Sequence, residues 1–183
     1  RQADCLVHYR RAADRLKHVT LELGGKNACI IYPDADLDQA IAGAVQGMNF
    51  TWCGQSCGST SRLFIHETLY DKVLQGVLDR IKLYSPGIPT EMETTMGAII
   101  SKAQHEKIMG YIELGKKEGA MLACGGKAPD NPLLSRGWFV EPTVFTDVSQ
   151  NMRIANEEIF GPVLCVLKWK DEEEMFAQVN AVE

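Results

Sequence analysis

Short apolar runs alternating with segments of helical period constrain this chain more than any other feature. "ACIIY" (28–32), "SRLFIH" (61–66), "AMLAC" (120–124), "WFVEPTVF" (138–145) and "VLCVLKW" (163–169) read as strands. Runs with so few polar interruptions suit strands buried on both faces, the condition of a parallel sheet. Between them, "LDQAIAGAVQGMNF" (37–50) carries a periodic apolar face behind Asp34 to Asp38, whose carboxylates complement the positive end of a helix dipole. Glu67 to Tyr84 place Leu69, Val73, Leu74, Val77, Leu78 and Ile81 at helical spacing until "SPGIP" halts the run. Residues 101–117 and the acidic stretch from about Asp171 are further helices, and 125–137 is a polar, turn-rich excursion. The opening "RQADCLVHYRRAADRLKH" also fits a helix. The alternating "VTLEL" (19–23) predicts a strand that meets the next across Gly24 and Gly25. The expected fold is α/β: three layers, with a largely parallel sheet flanked by helices. The first helix lacks a start signal and "EEEMFAQVNAVE" lacks a stop, so both ends read as cut within helices and the chain as a piece of a longer one.

Hydrophobic residues make up 45% of the 183, enough for a packed core. A formal charge of −5 without a polybasic run argues against nucleic acid and anionic membrane surfaces, which demand clustered Lys and Arg. No apolar stretch has the length a bilayer needs, and no secretory leader is recognisable, though a targeting signal upstream of Arg1 stays open. The six cysteines are scattered rather than patterned, which favours a reducing, cytoplasmic setting. Cys29, Cys124 and Cys165 lie among apolar neighbours and read as small core residues. Cys53, Cys57, His66 and His105 offer one Cys-x3-Cys spacing without a second close pair, so no metal site is expected.

Three stretches carry chemistry. In "GQSCGSTSR" (54–62) a thiol sits among residues too small to bury it, with Gly54 and Gly58 free to bring backbone close to a substrate. A polar glycine turn joining helix to strand is the bland alternative. In "LELGG" (21–25), Glu22 closes an apolar run beside a glycine pair; a partly buried carboxylate there suits a general base, a solvated one only the surface. In "NEEIFGPV" (156–163), a pair of acids precedes an aromatic and a Gly-Pro turn, able to present one carboxylate to a ligand hydroxyl or simply to cap a turn. Met48, Phe50 and Trp52 suit either a substrate tunnel or the core. Lys26 reads as the partner of a nearby acid or as half of a surface ion pair.

Taken together and in this order, "TLELGGKNACIIYPDADLDQA", "GQSCGSTSR", "GWFVEPTVF" and "EEIFGPV" resemble the aldehyde dehydrogenase superfamily from about Ala13 onward. Ser59 departs from the small residue common there, and Cys53 is a second thiol near the loop. The resemblance implies that Cys57 is the nucleophile and Glu22 the base that activates water. It also implies that Glu158 bonds the nicotinamide ribose and Phe160 packs beside the ring, with Leu23 and Gly24 against the cofactor, NAD or NADP. Residues 1–22 would close a truncated nucleotide-binding domain and 23–183 form most of a catalytic domain. The substrate would be a small aldehyde, and the parent protein a homodimer or homotetramer. The isolated piece is expected to be inactive. A coenzyme-A-acylating relative, another thiol acyltransferase and a non-catalytic relative are the alternatives.

Overall fold

The apolar runs pair as one five-stranded sheet in the order β1-β2-β5-β4-β3. It comprises β1 (Ala28–Ile31), β2 (Arg62–His66), β3 (Met121–Cys124), β4 (Thr143–Thr146) and β5 (Val163–Trp169), in a computed structural model that describes residues 2–182. β1, β2, β5 and β4 run parallel, with Phe64 opposite Ile30 on one side and Leu167 on the other. On the central strand β5 only Lys168 reaches solvent, so the uninterrupted apolar run records cover on both faces. β3 is antiparallel to β4 at the edge, where exposed and half-buried residues alternate and the register shifts between Leu122 and Cys124.

The α-helices of the described chain are α1 (Gln2–Ala13), α2 (Leu37–Gly47), α3 (Tyr70–Ile81), α4 (Lys102–Glu118), α5 (Arg153–Asn156) and α6 (Glu172–Val179). Three of them start where a short polar side chain caps the backbone: Asp36 accepts from the N–H of Gln39, Ser101 from Gln104 and Asp171 from Glu174. α4 ends at Gly119 in the left-handed conformation. The helices drive Val45, Val73, Val77, Ile108 and Ile112 into the same core as Leu63, Phe145 and Leu164.

Several boundaries differ from the sequence reading. Val19–Leu23 is not a strand: the described chain brings no ladder partner to it, Leu21 and Leu23 are exposed, and alternation without a partner leaves the segment irregular. The first helix stops at Ala13 rather than running to His18, and Leu16 has left-handed φ of 51°. Only the end of "WFVEPTVF" is strand, because Pro142 has no N–H to give a ladder. The acidic helix has a stop after all, with the N–H of Asn180 bonded to Phe176 and Gln178 carbonyls.

Leu164 is fully buried on β5. Leu164→Ala is expected to cost about 2–5 kcal/mol in chemical denaturation, the range for an apolar truncation that leaves a cavity.

Candidate active site

The sequence that follows α2 folds into a loop through three residues in left-handed backbone, a conformation that Gly and Asn tolerate and that Cys53 adopts under the constraint of its surroundings. Asn49, Cys53 and Gly54 take φ of 56°, 56° and 63°, with a 3-10 turn over Phe50–Trp52 between them. The N–H of Thr60 returns to the Gly47 carbonyl at 2.8 Å and closes the loop at its base. Asn27, at the entrance to β1, donates from Nδ2 to the carbonyls of Cys57 (2.6 Å) and Ser59 (3.4 Å), so the loop is held on the sheet. Ser59 fits without crowding: it is buried, and its hydroxyl oxygen lies 3.5 Å from Asn49 Nδ2. Gly54 admits no other residue, since a Cβ there would stand 2.1 Å from the carbonyl oxygen of Gly161.

The two neighbouring thiols have opposite environments. Cys57 is exposed at the loop crest, with its Sγ 3.7 Å from Glu22 Oε2. Cys53 is only 3% exposed, and its Sγ donates to the Gly97 carbonyl at 3.2 Å. Burial pushes its thiol up and keeps it from the thiolate form. Glu22 itself is exposed rather than partly buried, on the irregular stretch that precedes β1. That stretch is anchored by Arg62, whose Nε and Nη2 both donate to the Lys26 carbonyl (2.9 and 2.7 Å), while Nη1 and Nη2 also reach the Gln178 and Val179 carbonyls at the end of α6. Lys26 is not a surface residue: it is 3% exposed, its Nζ has no hydrogen-bond partner, and burial drives its pKa down.

The opposite wall comes from the turn before β5. Glu158 Oε1 accepts from the Gly25 N–H at 3.3 Å, and Gly24, with φ of 81°, leaves the room that this carboxylate occupies. Phe160 also lies in the left-handed region, at φ of 56°. Glu22, Leu23, Gly24, Cys57, Glu158 and Phe160 therefore line one cleft of about 390 Å³, together with Gln104. Gln104 carries no local motif. Its Nε2 donates to the carbonyls of Ile159 (3.0 Å) and Phe160 (2.8 Å), a tertiary contact no neighbouring residue announces. Glu157, by contrast, points away from the cleft; the Arg153 guanidinium and then the Tyr111 hydroxyl hold its carboxyl down at about 2.

Other sequence candidates go elsewhere. Met48 and Phe50 are core residues, while Trp52 is exposed. His66 pairs with Thr68 and the His105 ring leans on Trp138. Among the described residues, no group of three or more His, Cys, Asp or Glu is placed to hold a metal, and no helix is long and apolar enough to cross a membrane. A larger cleft of about 550 Å³, between α3 and the end of β3, contains Cys124, whose thiol is pushed up by burial and by the charge of Glu141 in the same lining.

Nearly the whole of this chain is similar to part of longer known proteins. The profile of the aldehyde dehydrogenase family matches residues 5–183. The chain is 48% identical over 176 residues to the aldehyde dehydrogenase tropH of Talaromyces stipitatus, covering 94% of this chain and 34% of that protein. It is 48% identical over 172 residues to a betaine aldehyde dehydrogenase of Mesorhizobium japonicum, covering 94% and 35%. Among solved structures, the NAD+ complex of a Bacillus cereus aldehyde dehydrogenase superposes with a TM-score of 0.85 at 46% identity, over 95% of this chain and 34% of that one. A betaine aldehyde dehydrogenase of Staphylococcus aureus in complex with NAD+ gives 0.87 at 40%, over 95% and 34%. The chain thus spans about a third of the length of the curated relatives it matches. With its sequence matched from Cys5 onward and its sheet superposed on theirs, this chain belongs to the aldehyde dehydrogenase family.

Proposed function

We propose that the protein containing this chain oxidises an aldehyde to a carboxylate with NAD or NADP, and that Cys57 and Glu22 carry the covalent and hydrolytic steps. The observation that bears the reading is the 3.7 Å separation of Cys57 Sγ and Glu22 Oε2 at a cleft whose other wall holds Glu158 and Phe160. In the division we favour, residues 1–22 end a nucleotide-binding portion and 23–183 belong to the catalytic portion. The first of these contributes a helix but no strand in the described chain.

The residues present fit a nicotinamide cofactor. The space at Gly24 that a Cβ would fill is the space beside the Glu158 carboxylate, an acceptor suited to ribose hydroxyls, and Phe160 supplies an apolar wall next to it. When bound, the cofactor accepts the hydride that converts an aldehyde adduct to an acyl group. The chain's own residues do the rest. Cys57 sulfur bonds to the aldehyde carbon, and its proton passes to Glu22 or to solvent. The oxyanion of the resulting thiohemiacetal is met by the Cys57 backbone N–H. After oxidation the acyl group remains on sulfur as a thioester. Glu22 then takes a proton from water, the hydroxide adds to the acyl carbon, and the C–S bond breaks to release carboxylate and restore the thiolate. A carboxylate facing the sulfur favours water over a carrier thiol as the acyl acceptor. The same resemblance carries an assembly into homodimers or homotetramers, which sedimentation of the full-length protein tests.

In the full-length protein, Cys57→Ser is expected to abolish aldehyde-dependent reduction of NAD followed by absorbance, whereas Cys53→Ala retains it; full activity in Cys57→Ser removes the nucleophile. Glu22→Gln is expected to slow deacylation by about 10²–10⁴-fold, so that acyl-enzyme accumulates in rapid-quench samples. A steady-state rate equal to wild type would contradict the assignment of the base. Gly24→Ala puts a methyl group 2.6 Å from Glu158 Oε2 and should raise the KM for NAD by about tenfold, equivalent to about 1.4 kcal/mol, with kcat changed less.

A further inference from the structure

Resting on the cofactor reading above, we infer that Glu157, outside the cleft, is a positioning residue for cofactor binding: its carboxylate ties the Glu157–Phe160 segment to α4. One stripe of α4, three and then four residues apart, grips that segment in reverse order. The Tyr111 hydroxyl donates to Glu157 Oε2 at 2.5 Å, Lys107 Nζ to the Glu158 carbonyl at 2.9 Å, and Gln104 Nε2 to the Ile159 and Phe160 carbonyls. Residues at this spacing share a helix face, so a single rigid element sets the path of four consecutive residues.

Glu157 is the end of that grip and its most heavily bonded point. Arg153 approaches it as a fork, Nε to Oε1 at 2.6 Å and Nη2 to Oε2 at 2.9 Å, while the Glu157 N–H bonds the Arg153 carbonyl at 2.8 Å. Two-point pairing fixes the plane of the carboxylate as well as its position. The segment needs such restraint because it ends in Phe160 at φ of 56°, a conformation that a bulky residue keeps only when its surroundings impose it. Glu158 follows Glu157 directly, so rotation at 157 swings the Glu158 carboxylate away from the Gly25 N–H it meets at 3.3 Å. Glu157 is thus coupled to the cleft through backbone rather than through contact with a ligand.

The test uses the full-length protein, with NAD affinity read by calorimetry in the absence of aldehyde and amide exchange followed over residues 158–161. Glu157→Gln, which keeps size and removes charge, should weaken NAD about five- to tenfold and speed exchange in that turn. The alkylation rate of Cys57 by iodoacetamide should stay within twofold of wild type. Tyr111→Phe, which leaves the Arg153 fork in place, should shift both readouts in the same direction by about two- to threefold. Because Glu157 acts through Glu158, adding Glu157→Gln to Glu158→Gln should change affinity by less than about twofold. If Glu158→Gln weakens NAD but Glu157→Gln leaves affinity and exchange unchanged, or if the double variant shows the full product of the two losses, the positioning role is overturned. If Glu158→Gln itself leaves NAD affinity unchanged, the cofactor reading falls and the inference with it.

Discussion

The cleft depends on one approach of backbone to backbone, where Gly54 meets the carbonyl of Gly161. No side chain can stand between these atoms, so the cysteine loop and the turn before β5 are seated on each other without a spacer. Cys57 and Phe160 are placed by what flanks that contact. On one side Cys57 follows three residues later, its carbonyl held by Asn27. On the other, Phe160 precedes Gly161 in the left-handed region, its carbonyl held by Gln104. The two elements lead directly into β2 and β5, neighbouring inner strands of the sheet, and β5 is buried on either face, which makes the platform stiff.

A third strip of chain completes the site by a different principle. Residues 19–27 belong to no strand, yet Glu22 still reaches the loop, because the buried Arg62 side chain binds the Lys26 carbonyl and the end of α6 together. An arginine with several backbone acceptors fixes a path that regular structure would otherwise supply. The guanidinium is itself lowered in pKa by desolvation, so removing its acceptors would leave a charge stranded in the core.

The sheet was legible because burial on both faces leaves a composition signature, and β1, β2 and β5 carry it almost without interruption. The segment Val19–Leu23 has strand composition but finds no partner in the described chain, and pairing is a property of two segments that no single one displays. The cleft residues Cys57, Glu22, Glu158 and Phe160 were legible as motifs, and the fold brings them to one cavity. Gln104, Lys107 and Tyr111 were not, since their role lies in which carbonyls happen to face α4. Motif resemblance already favoured Cys57 over Cys53, but the physical ground for that preference was not in the sequence: the two thiols separate when Cys53 turns under the loop toward Gly97.

That separation has a chemical corollary. Desolvation raises the pKa of four of the thiols, Cys29, Cys53, Cys124 and Cys165, while Cys57 is the one cysteine exposed among the described residues and Cys5 is half-buried. Peroxide reacts with sulfur that is both accessible and deprotonable, giving first a sulfenic acid and then irreversible higher oxides. Thiol oxidation is therefore directed first to Cys57 Sγ, and because neighbouring Cys53 is buried beneath the loop, a sulfenic acid there depends on the surrounding medium for a reductant.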